Sequence, residues 1–258
     1  MAQAMIGGIL QSKTVQPEQI VASAKSRETI DDVAAKFQIH AASNNRLVAE
    51  EADVLFLAIK PNLHAKVIEE IKHAVKQEAI IITIAAGISL QFLEESFNKK
   101  IKAIRSMPNT PSLVGEGMSA LCANEIVTEA ELDAVVQIFS SFGKVEVIEE
   151  KLMNAIPAIS GSSPAYAYMF IEALADGGVK NGLTRDQSYK LAAQAVLGAA
   201  KMVLESGRHP GELKDEVCTP GGATIEAVAA LEKNGFRAAV LSAMDSCTEK
   251  TNSLSRKN

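Results

Sequence analysis

Two stretches, DVLFLAIKP at Asp53–Pro61 and AIIITIAAG at Ala79–Gly87, decide the fold. Each contains an uninterrupted run of apolar residues and ends at a residue that stops regular structure, proline in the first and glycine in the second. Strands that stay apolar at every position, without alternation, are typical of parallel sheets covered by helices on both faces. The two stretches therefore predict buried strands of a parallel sheet.

Other patterns extend this sheet in both directions along the chain. Further strands are predicted at Ile20–Ser23, Ile101–Pro108, Gly117–Ala123 and Lys144–Ile148, with helical patterns at Ile30–Phe37, His64–Val75 and Glu129–Phe142. Such alternation of strands and helices predicts βαβ units and an α/β fold with a doubly wound parallel sheet.

The strand patterns stop after about Lys151, and helices are predicted at Pro164–Ala175, Asp186–Leu204 and Ile225–Lys233. We therefore divide the chain into an α/β domain at 1–150 and an all-α domain at 151–258. The segment Ala192–Lys201 is rich in small residues, which allow two helices to approach closely. Its partner is either the core of the same chain or a second chain.

Composition narrows the classes of partner. The 258 residues carry a net charge of −5 and no basic stripe, so nucleic acid is not an expected partner. The longest apolar run, Ala79–Ile88, is too short to span a bilayer, so we expect no membrane partner. Cys122, Cys218 and Cys247 form no CxxC pair, which predicts no metal site and free thiols in a reducing cytoplasm.

A cofactor site is indicated at two places in the α/β domain. The segment after the strand at Ile20–Ser23 offers Ser23, Lys25 and Arg27 but no acid until Glu28. In a doubly wound sheet, cations at this position accommodate the 2′-phosphate of NADP, although a solvated turn would have the same composition. The strand ends at Lys60–Pro61 and Ala85–Gly87 should lie where such sheets bind ligands, or should be ordinary strand ends.

A substrate site is indicated at Pro220–Thr224, where Pro220, Gly221 and Gly222 interrupt the helical pattern. Thr224 is predicted to be the N-cap of the next helix. A glycine-rich loop at a helix N-terminus presents backbone N–H groups to an anion such as a substrate carboxylate. A capping turn without a ligand is the alternative. Ser160–Tyr166, SGSSPAY, is a second loop of this kind.

These motifs together resemble the pyrroline-5-carboxylate reductase family over essentially the whole chain. The matching segments, in the order of the family, are Asp53–Pro61, Ala85–Gly87, Met107–Pro111, Ser160–Tyr166, Leu174–Leu183 and His209–Ile225, the last being the signature stretch. The resemblance implies a Rossmann-like domain followed by an all-α dimerisation domain. It also implies reduction of 1-pyrroline-5-carboxylate to L-proline with NADPH or NADH, by a homodimer or a larger ring of dimers.

By matching position, the resemblance implies that Ser23, Asn45, Lys60 and Ala86 contact the cofactor, and the charge argument adds Lys25. It places the substrate at Ala223 and Thr224, with Pro220, Gly221 and Gly222 around the carboxylate. The Thr224 hydroxyl is the catalytic candidate, as a donor to the ring nitrogen.

The chain departs from the family at its start, because Met1–Leu10 predicts the helix that follows the family's glycine-rich loop. The first strand and that loop are therefore expected to be missing, which would leave an open slot in the middle of the sheet and no cradle for the pyrophosphate.

Two other functions are compatible with parts of the pattern. With its cofactor half incomplete, the chain could be a non-catalytic helical oligomer. A β-hydroxyacid dehydrogenase shares the two-domain plan. Those enzymes usually carry a catalytic lysine at a GxxxK-type spacing in the helical domain, and Lys180 follows Gly177 and Gly178 too closely for that.

Overall fold

The computed structural model describes residues 1–255 and divides the chain into two compact units. Unit 1 comprises Met1–Ser162 and the segment from Ser246 onward, and unit 2 comprises Ser163–Asp245. The boundary at residue 150 expected from the sequence lies inside unit 1. The last helix begins in unit 2 and ends in unit 1, where Asn154 Nδ2 donates a hydrogen bond of 3.1 Å to Asn252 Oδ1.

Unit 1 contains seven strands and six complete helices among its described residues. The strands are β1 Val21–Ala22, β2 His40–Ala41, β3 Val54–Leu57, β4 Ile80–Thr83, β5 Lys102–Met107, β6 Gly117–Ala123 and β7 Gly143–Val147. The helices are α1 Ala2–Gln11, α2 Arg27–Phe37, α3 Asn45–Glu51, α4 His64–Ile71, α5 Leu90–Phe97 and α6 Glu129–Ser140. The remaining helices are α7 Ser163–Lys180, α8 Arg185–Ser206, α9 Pro210–Val217, α10 Ala223–Lys233 and α11 Phe236–Ser255.

Strands β3 to β7 form one five-stranded sheet in sequence order. All neighbours are parallel except β5 and β6, which are antiparallel. The expected parallel sheet is therefore confirmed for three of the four strand pairs, and the pair of β5 and β6 is the exception. Only residues 108–116 connect β5 to β6, and a parallel connection needs a crossover of a dozen or more residues.

Strand β4 is the centre of the core. All four of its residues are buried, and its three isoleucines alternate between two apolar clusters on opposite faces of the sheet. Ile81 packs with the cluster of α4 and α5, and Ile82 packs with the cluster of α1 and α6. This two-sided burial is the reason that the strand is apolar at nearly every position, as the sequence predicts.

Strands β1 and β2 form a separate parallel sheet of two strands, with Val21 opposite His40. A cavity of about 650 Å³ is lined by β1, by β3 and by Met5 and Ile9 of α1. In the described residues, neither β1 nor β3 pairs with a further strand on the side of this cavity. The cavity therefore lies beside the two strands that the expected slot would separate, and the slot itself stays a prediction.

Helix α1 packs closely against the segment that leads into β7. A Cβ atom placed on Gly8 would collide with Phe142 Cβ and would lie 3.2 Å from Phe142 Cα. A Cβ atom on the neighbouring Gly7 would lie 3.5 Å from the Phe37 ring, which is ordinary contact. Gly8 is therefore required by packing, whereas Gly7 is not.

Unit 2 has little core of its own. Ala175, Ser188 and Ala192 are its only buried residues, and α7 approaches α8 closely at Gly178, where a Cβ atom would collide with Ser188 Oγ. Large apolar side chains remain exposed, including Met169 at 70% and Leu204 at 77%. Exposed apolar area of this extent is typical of a surface that packs against another molecule.

We expect Gly8→Ala to destabilise the chain by about 1–3 kcal/mol, because the new methyl group overpacks the contact with Phe142. Gly7→Ala is the matched control and should stabilise α1 by roughly 0.5–1 kcal/mol through its higher helix propensity. Urea unfolding followed by circular dichroism measures both. Equal free energies of unfolding for the two variants would contradict the packing at Gly8.

Candidate active site

Ser23 and Asn45, two residues expected to contact the cofactor, are joined by a hydrogen bond. Ser23 follows β1 and donates from Oγ to Asn45 Oδ1 at 2.8 Å. Asn45 opens α3, whose N-cap Asn44 accepts a hydrogen bond from Leu47 N–H. Asn45 Nδ2 in turn donates to Glu70 Oε2 at 2.8 Å. The structure therefore brings these two residues together and fixes the orientation of the amide.

Lys25 and Arg27 extend this group beyond the end of β1. Ser26 caps α2 by accepting a hydrogen bond from Thr29 N–H, so Lys25 precedes the helix and Arg27 is its first residue. Both side chains are exposed, and Arg27 forms an ion pair of 3.0 Å with Asp31. Within residues 1–255, Lys25 forms no ion pair. These cations are available to an anionic group next to Ser23.

Lys60 and Ala86 lie beyond the carboxyl ends of the neighbouring parallel strands β3 and β4. The Lys60 side chain is exposed, whereas Ala86 is half-buried between the buried residues Ala85 and Gly87. Gly87 has φ of +82°, a left-handed conformation that glycine adopts without strain. This edge of the sheet thus offers exposed backbone and small side chains, against which a flat aromatic ring of a ligand can lie.

The sequence analysis missed His64 at this edge. Its ring is buried, its Nε2 lies 2.9 Å from Thr83 Oγ1, and its Nδ1 lies 3.2 Å from the Lys60 carbonyl oxygen. Burial lowers the pKa of the His64 imidazole below its ordinary value. The sequence signal was slight: a single histidine four residues after Lys60, on the apolar face of a helix.

The segments Met107–Pro111 and Ser160–Tyr166 contact each other through Asn109. Its Nδ2 donates to the Ser160 carbonyl oxygen at 2.9 Å, and its Oδ1 accepts from Met118 N–H at 2.8 Å. Ser160 belongs to a single π-helical turn at Pro157–Gly161, a feature often found at functional sites. Asn109 thereby fixes the loop that precedes α7.

The candidate substrate loop in unit 2 is a tight turn followed by a helix. Gly222 N–H donates to the Thr219 carbonyl oxygen at 3.0 Å, with Pro220 and Gly221 between them. Gly221 has φ of +67°, which is the conformation that the third residue of a type II turn requires. The first backbone N–H groups of α10 have no partner inside the helix, so the turn presents them at its end.

The prediction that Thr224 is the N-cap of this helix is wrong. The N-cap is Gly222, at φ −82° and ψ 166°, and α10 begins at Ala223. The Pro220–Gly221 turn sets where the backbone becomes helical, and it does so two residues before Thr224. In the part of the chain that the structure describes, the half-buried Thr224 hydroxyl has no hydrogen-bond partner. It is therefore free to bind a ligand.

Residues 1–255 offer neither a metal centre nor a reactive thiolate at Cys122. No group of three or more His, Cys, Asp or Glu side chains is arranged to hold a metal ion there. No helix of these residues is long and apolar enough to cross a bilayer. Burial raises the pKa of the Cys122 thiol to about 11, so this cysteine is not a thiolate nucleophile near neutral pH.

A nicotinamide dinucleotide fits the residues of unit 1. The Ser23–Asn45 pair and the nearby cations suit a ribose and a phosphate, and the small residues at the end of β4 suit a nicotinamide ring. The positive φ of Gly87 lets the backbone turn away from such a ring.

Family models match both parts of the chain. A model described as pyrroline-5-carboxylate reductase dimerisation matches residues 150–254, and one described as NADP oxidoreductase, coenzyme F420-dependent, matches residues 1–87.

Relatives match the chain over its whole length. A pyrroline-5-carboxylate reductase of Escherichia coli is 47% identical over 99% of this chain and 95% of its own. Crystal structures of the Plasmodium falciparum enzyme with NADP bound and of a Coxiella burnetii enzyme have TM-scores of 0.88 and 0.91. They are 34% and 32% identical, each over 98% of this chain, and the matches cover 93% and 94% of those chains. On these similarities, the chain belongs to the pyrroline-5-carboxylate reductase family.

Proposed function

We propose that this chain reduces 1-pyrroline-5-carboxylate to L-proline by hydride transfer from NADPH or NADH. The observation that carries the proposal is the turn at Thr219–Gly222, which presents the N–H groups of α10 next to the unpartnered Thr224 hydroxyl. One anion site and one neutral hydroxyl match a substrate with one carboxylate and one ring nitrogen. The relatives named pyrroline-5-carboxylate reductase, which match this chain over its whole length, support the assignment.

The reaction needs binding and orientation more than it needs a protein nucleophile. The bound cofactor supplies the hydride, and a protonated cyclic imine is already electrophilic at carbon. Holding two reactants in a reactive geometry can supply roughly 7–11 kcal/mol of the barrier reduction. This fits a chain whose candidate residues are hydroxyls, amides, cations and glycines.

In unit 1, the proposed cofactor residues are Ser23, Lys25, Asn45, Lys60 and Ala86. The Ser23–Asn45 pair would orient the adenosine ribose, because its hydroxyl and amide are already fixed to each other. Lys25 would contact a 2′-phosphate, and the backbone near Lys60 and Ala86 would support the nicotinamide.

In unit 2, the proposed substrate residues are Pro220, Gly221, Gly222, Ala223 and Thr224. A Cβ atom on Gly222 would collide with Thr219 Oγ1, so a larger residue there requires the Thr219 side chain to move. The turn would hold the carboxylate by its N–H groups, and the Thr224 hydroxyl oxygen would accept a hydrogen bond from the protonated ring nitrogen.

The activity is tested by the loss of NADPH absorbance on adding 1-pyrroline-5-carboxylate, with L-proline identified by chromatography. We would assay the chain alone and the chain preceded by an apolar strand and a glycine-rich turn, which would fill the slot between β1 and β3. Turnover is expected in the extended form. If both forms are folded by circular dichroism and neither forms proline, the non-catalytic helical oligomer is the correct description.

The role of Thr224 is tested by Thr224→Ala and Thr224→Ser. Loss of the hydrogen bond from a charged N–H group to the hydroxyl oxygen should lower kcat/KM of Thr224→Ala roughly tenfold or more, while Thr224→Ser keeps most of the activity. Because Gly222 is the N-cap, neither change removes a cap, and the melting temperature of Thr224→Ala should not fall. A lower melting temperature with unchanged kcat/KM would show a structural role only.

NADPH is expected to be used at least as well as NADH, because Lys25 and Arg27 are cations next to Ser23 and no acidic residue lies between Ser23 and Arg27 in the sequence. The double variant Lys25→Glu/Arg27→Glu should raise KM for NADPH about tenfold and leave KM for NADH nearly unchanged. The control Lys36→Glu/Lys144→Glu changes the net charge equally, at exposed residues outside the segment 23–27. Equal losses with both cofactors would show that neither side chain contacts the 2′-phosphate.

The active form is proposed to be a homodimer or a larger ring of dimers joined through unit 2. Phe170, Leu174, Val196 and Val203 line an apolar groove of about 440 Å³ between α7 and α8, and unit 2 has too few buried residues to be stable alone. Sedimentation at micromolar concentration should give more than the 27.4 kDa monomer. Val203→Asp places a charge in the groove and should lower this mass. Lys190→Asp is the control outside the groove and should leave the mass unchanged. A monomeric wild type would contradict the proposal.

The cytoplasm is the proposed location. All three cysteines are free, and Cys122 is buried, which suits a compartment that keeps thiols reduced.

A further inference from the structure

His64 links the two strand ends that carry the proposed cofactor edge. The register of β3 and β4 ends at Leu57 opposite Thr83, so the backbone beyond those residues is no longer held by the sheet. His64 projects from α4 into this region, with Nδ1 3.2 Å from the Lys60 carbonyl oxygen and Nε2 2.9 Å from Thr83 Oγ1. It therefore connects the residue that follows β3 to the last residue of β4.

The partners of the ring assign the direction of each hydrogen bond. A backbone carbonyl only accepts, so Nδ1 must carry the proton that points to Lys60. In a neutral ring Nε2 then has no proton and accepts from the Thr83 hydroxyl. Thr83 Oγ1 itself accepts from Ala85 N–H at 3.3 Å. The result is one continuous relay: Ala85 N–H to Thr83, Thr83 O–H to His64, and His64 N–H to Lys60.

The burial of His64 and Thr83 keeps the hydrogen bonds of this relay in one arrangement. His64 and Thr83 are both fully buried, so water cannot replace a broken bond. Strand β5 is also bonded to Thr83, because Ser106 Oγ donates to the Thr83 carbonyl oxygen at 2.8 Å. Desolvation lowers the pKa of His64, which agrees with a neutral ring. Protonation of Nε2 would remove the acceptor of the Thr83 hydroxyl and break the relay.

We propose that His64, in its Nδ1–H tautomer, is a positioning residue that holds the Lys60 and Ala85–Ala86 backbone segments at the spacing needed to bind the nicotinamide end of the cofactor. This inference rests on the proposed cofactor site. His64 does not touch the cofactor in this account, and it acts only through the backbone of the two loops. The alternative is a histidine that merely fills the core.

The two accounts differ in what a variant changes. Loss of a core-filling side chain lowers the melting temperature but leaves the affinity of the folded protein for NADPH unchanged. Loss of a positioning relay raises the dissociation constant of NADPH, whichever member is removed. Because the members form one chain of hydrogen bonds, removing two of them should cost little more than removing one.

The experiment measures NADPH dissociation constants by fluorescence on variants shown to be folded by circular dichroism. His64→Leu and Thr83→Val should each raise the constant about five- to tenfold, and the double variant should match either single one. Thr83→Ser retains the hydroxyl and should stay within about twofold of the wild type. His73→Leu, at an exposed histidine just beyond α4, is the control and should change nothing.

Nitrogen-15 NMR of the imidazole rings provides a measure that does not depend on the cofactor. The His64 resonances, assigned by their loss in His64→Leu, should show a protonated Nδ1 and a bare Nε2 near neutral pH. An Nε2–H tautomer or a charged ring would overturn the inference.

The binding results also separate this inference from the function on which it rests. A wild-type chain that binds no NADPH, in the form preceded by the apolar strand, overturns the proposed function and the inference with it. Wild-type binding with unchanged affinity in folded His64→Leu and Thr83→Val overturns the inference alone. Additive losses in the double variant would overturn the relay as well.

Discussion

The burial of β4 on both faces is the constraint on which the rest of unit 1 depends. Ile81 and Ile82 point to opposite clusters, so α4 and α5 must cover one face while α1 and α6 cover the other. Each fully buried side chain of this size contributes about 1.5–3 kcal/mol relative to its exposed state. The helices are thereby held on the two faces, and the connections between strands and helices fall at the strand ends.

This arrangement explains where the candidate cofactor residues lie. Ser23 follows β1 of the two-stranded sheet, whereas Lys60 and Ala86 follow the neighbouring parallel strands β3 and β4. Parallel strands end at one edge, so side chains and backbone from distant positions converge there. The polar contacts among them, such as Ser23 with Asn45, then orient groups that the apolar core has only brought near each other.

Much of this could be predicted from the sequence, and the failures have physical causes. The strands β3 and β4 were predictable because burial on both faces removes polar residues. The antiparallel pairing of β6 was not, because apolar composition contains no information on strand direction, which the short connection at 108–116 decides. Strand β2 was not predicted, because it is only two residues long and both residues, His40 and Ala41, are exposed. At the substrate loop, the preference of threonine for N-caps favoured Thr224, but the preceding turn places Gly222 there.

The course of α11 has a consequence for synthesis of the chain. Unit 1 is discontinuous in sequence, since it is left at Ser162 and entered again at Ser246. Its contacts from Asn154 to Asn252 and from Ser162 to Cys247 join residues on either side of unit 2. The ribosome therefore synthesises the α/β sheet long before it synthesises the residues that complete the packing of that sheet. During that interval the nascent chain must carry an unfinished surface, and its folding is completed only after the last helix has left the exit tunnel.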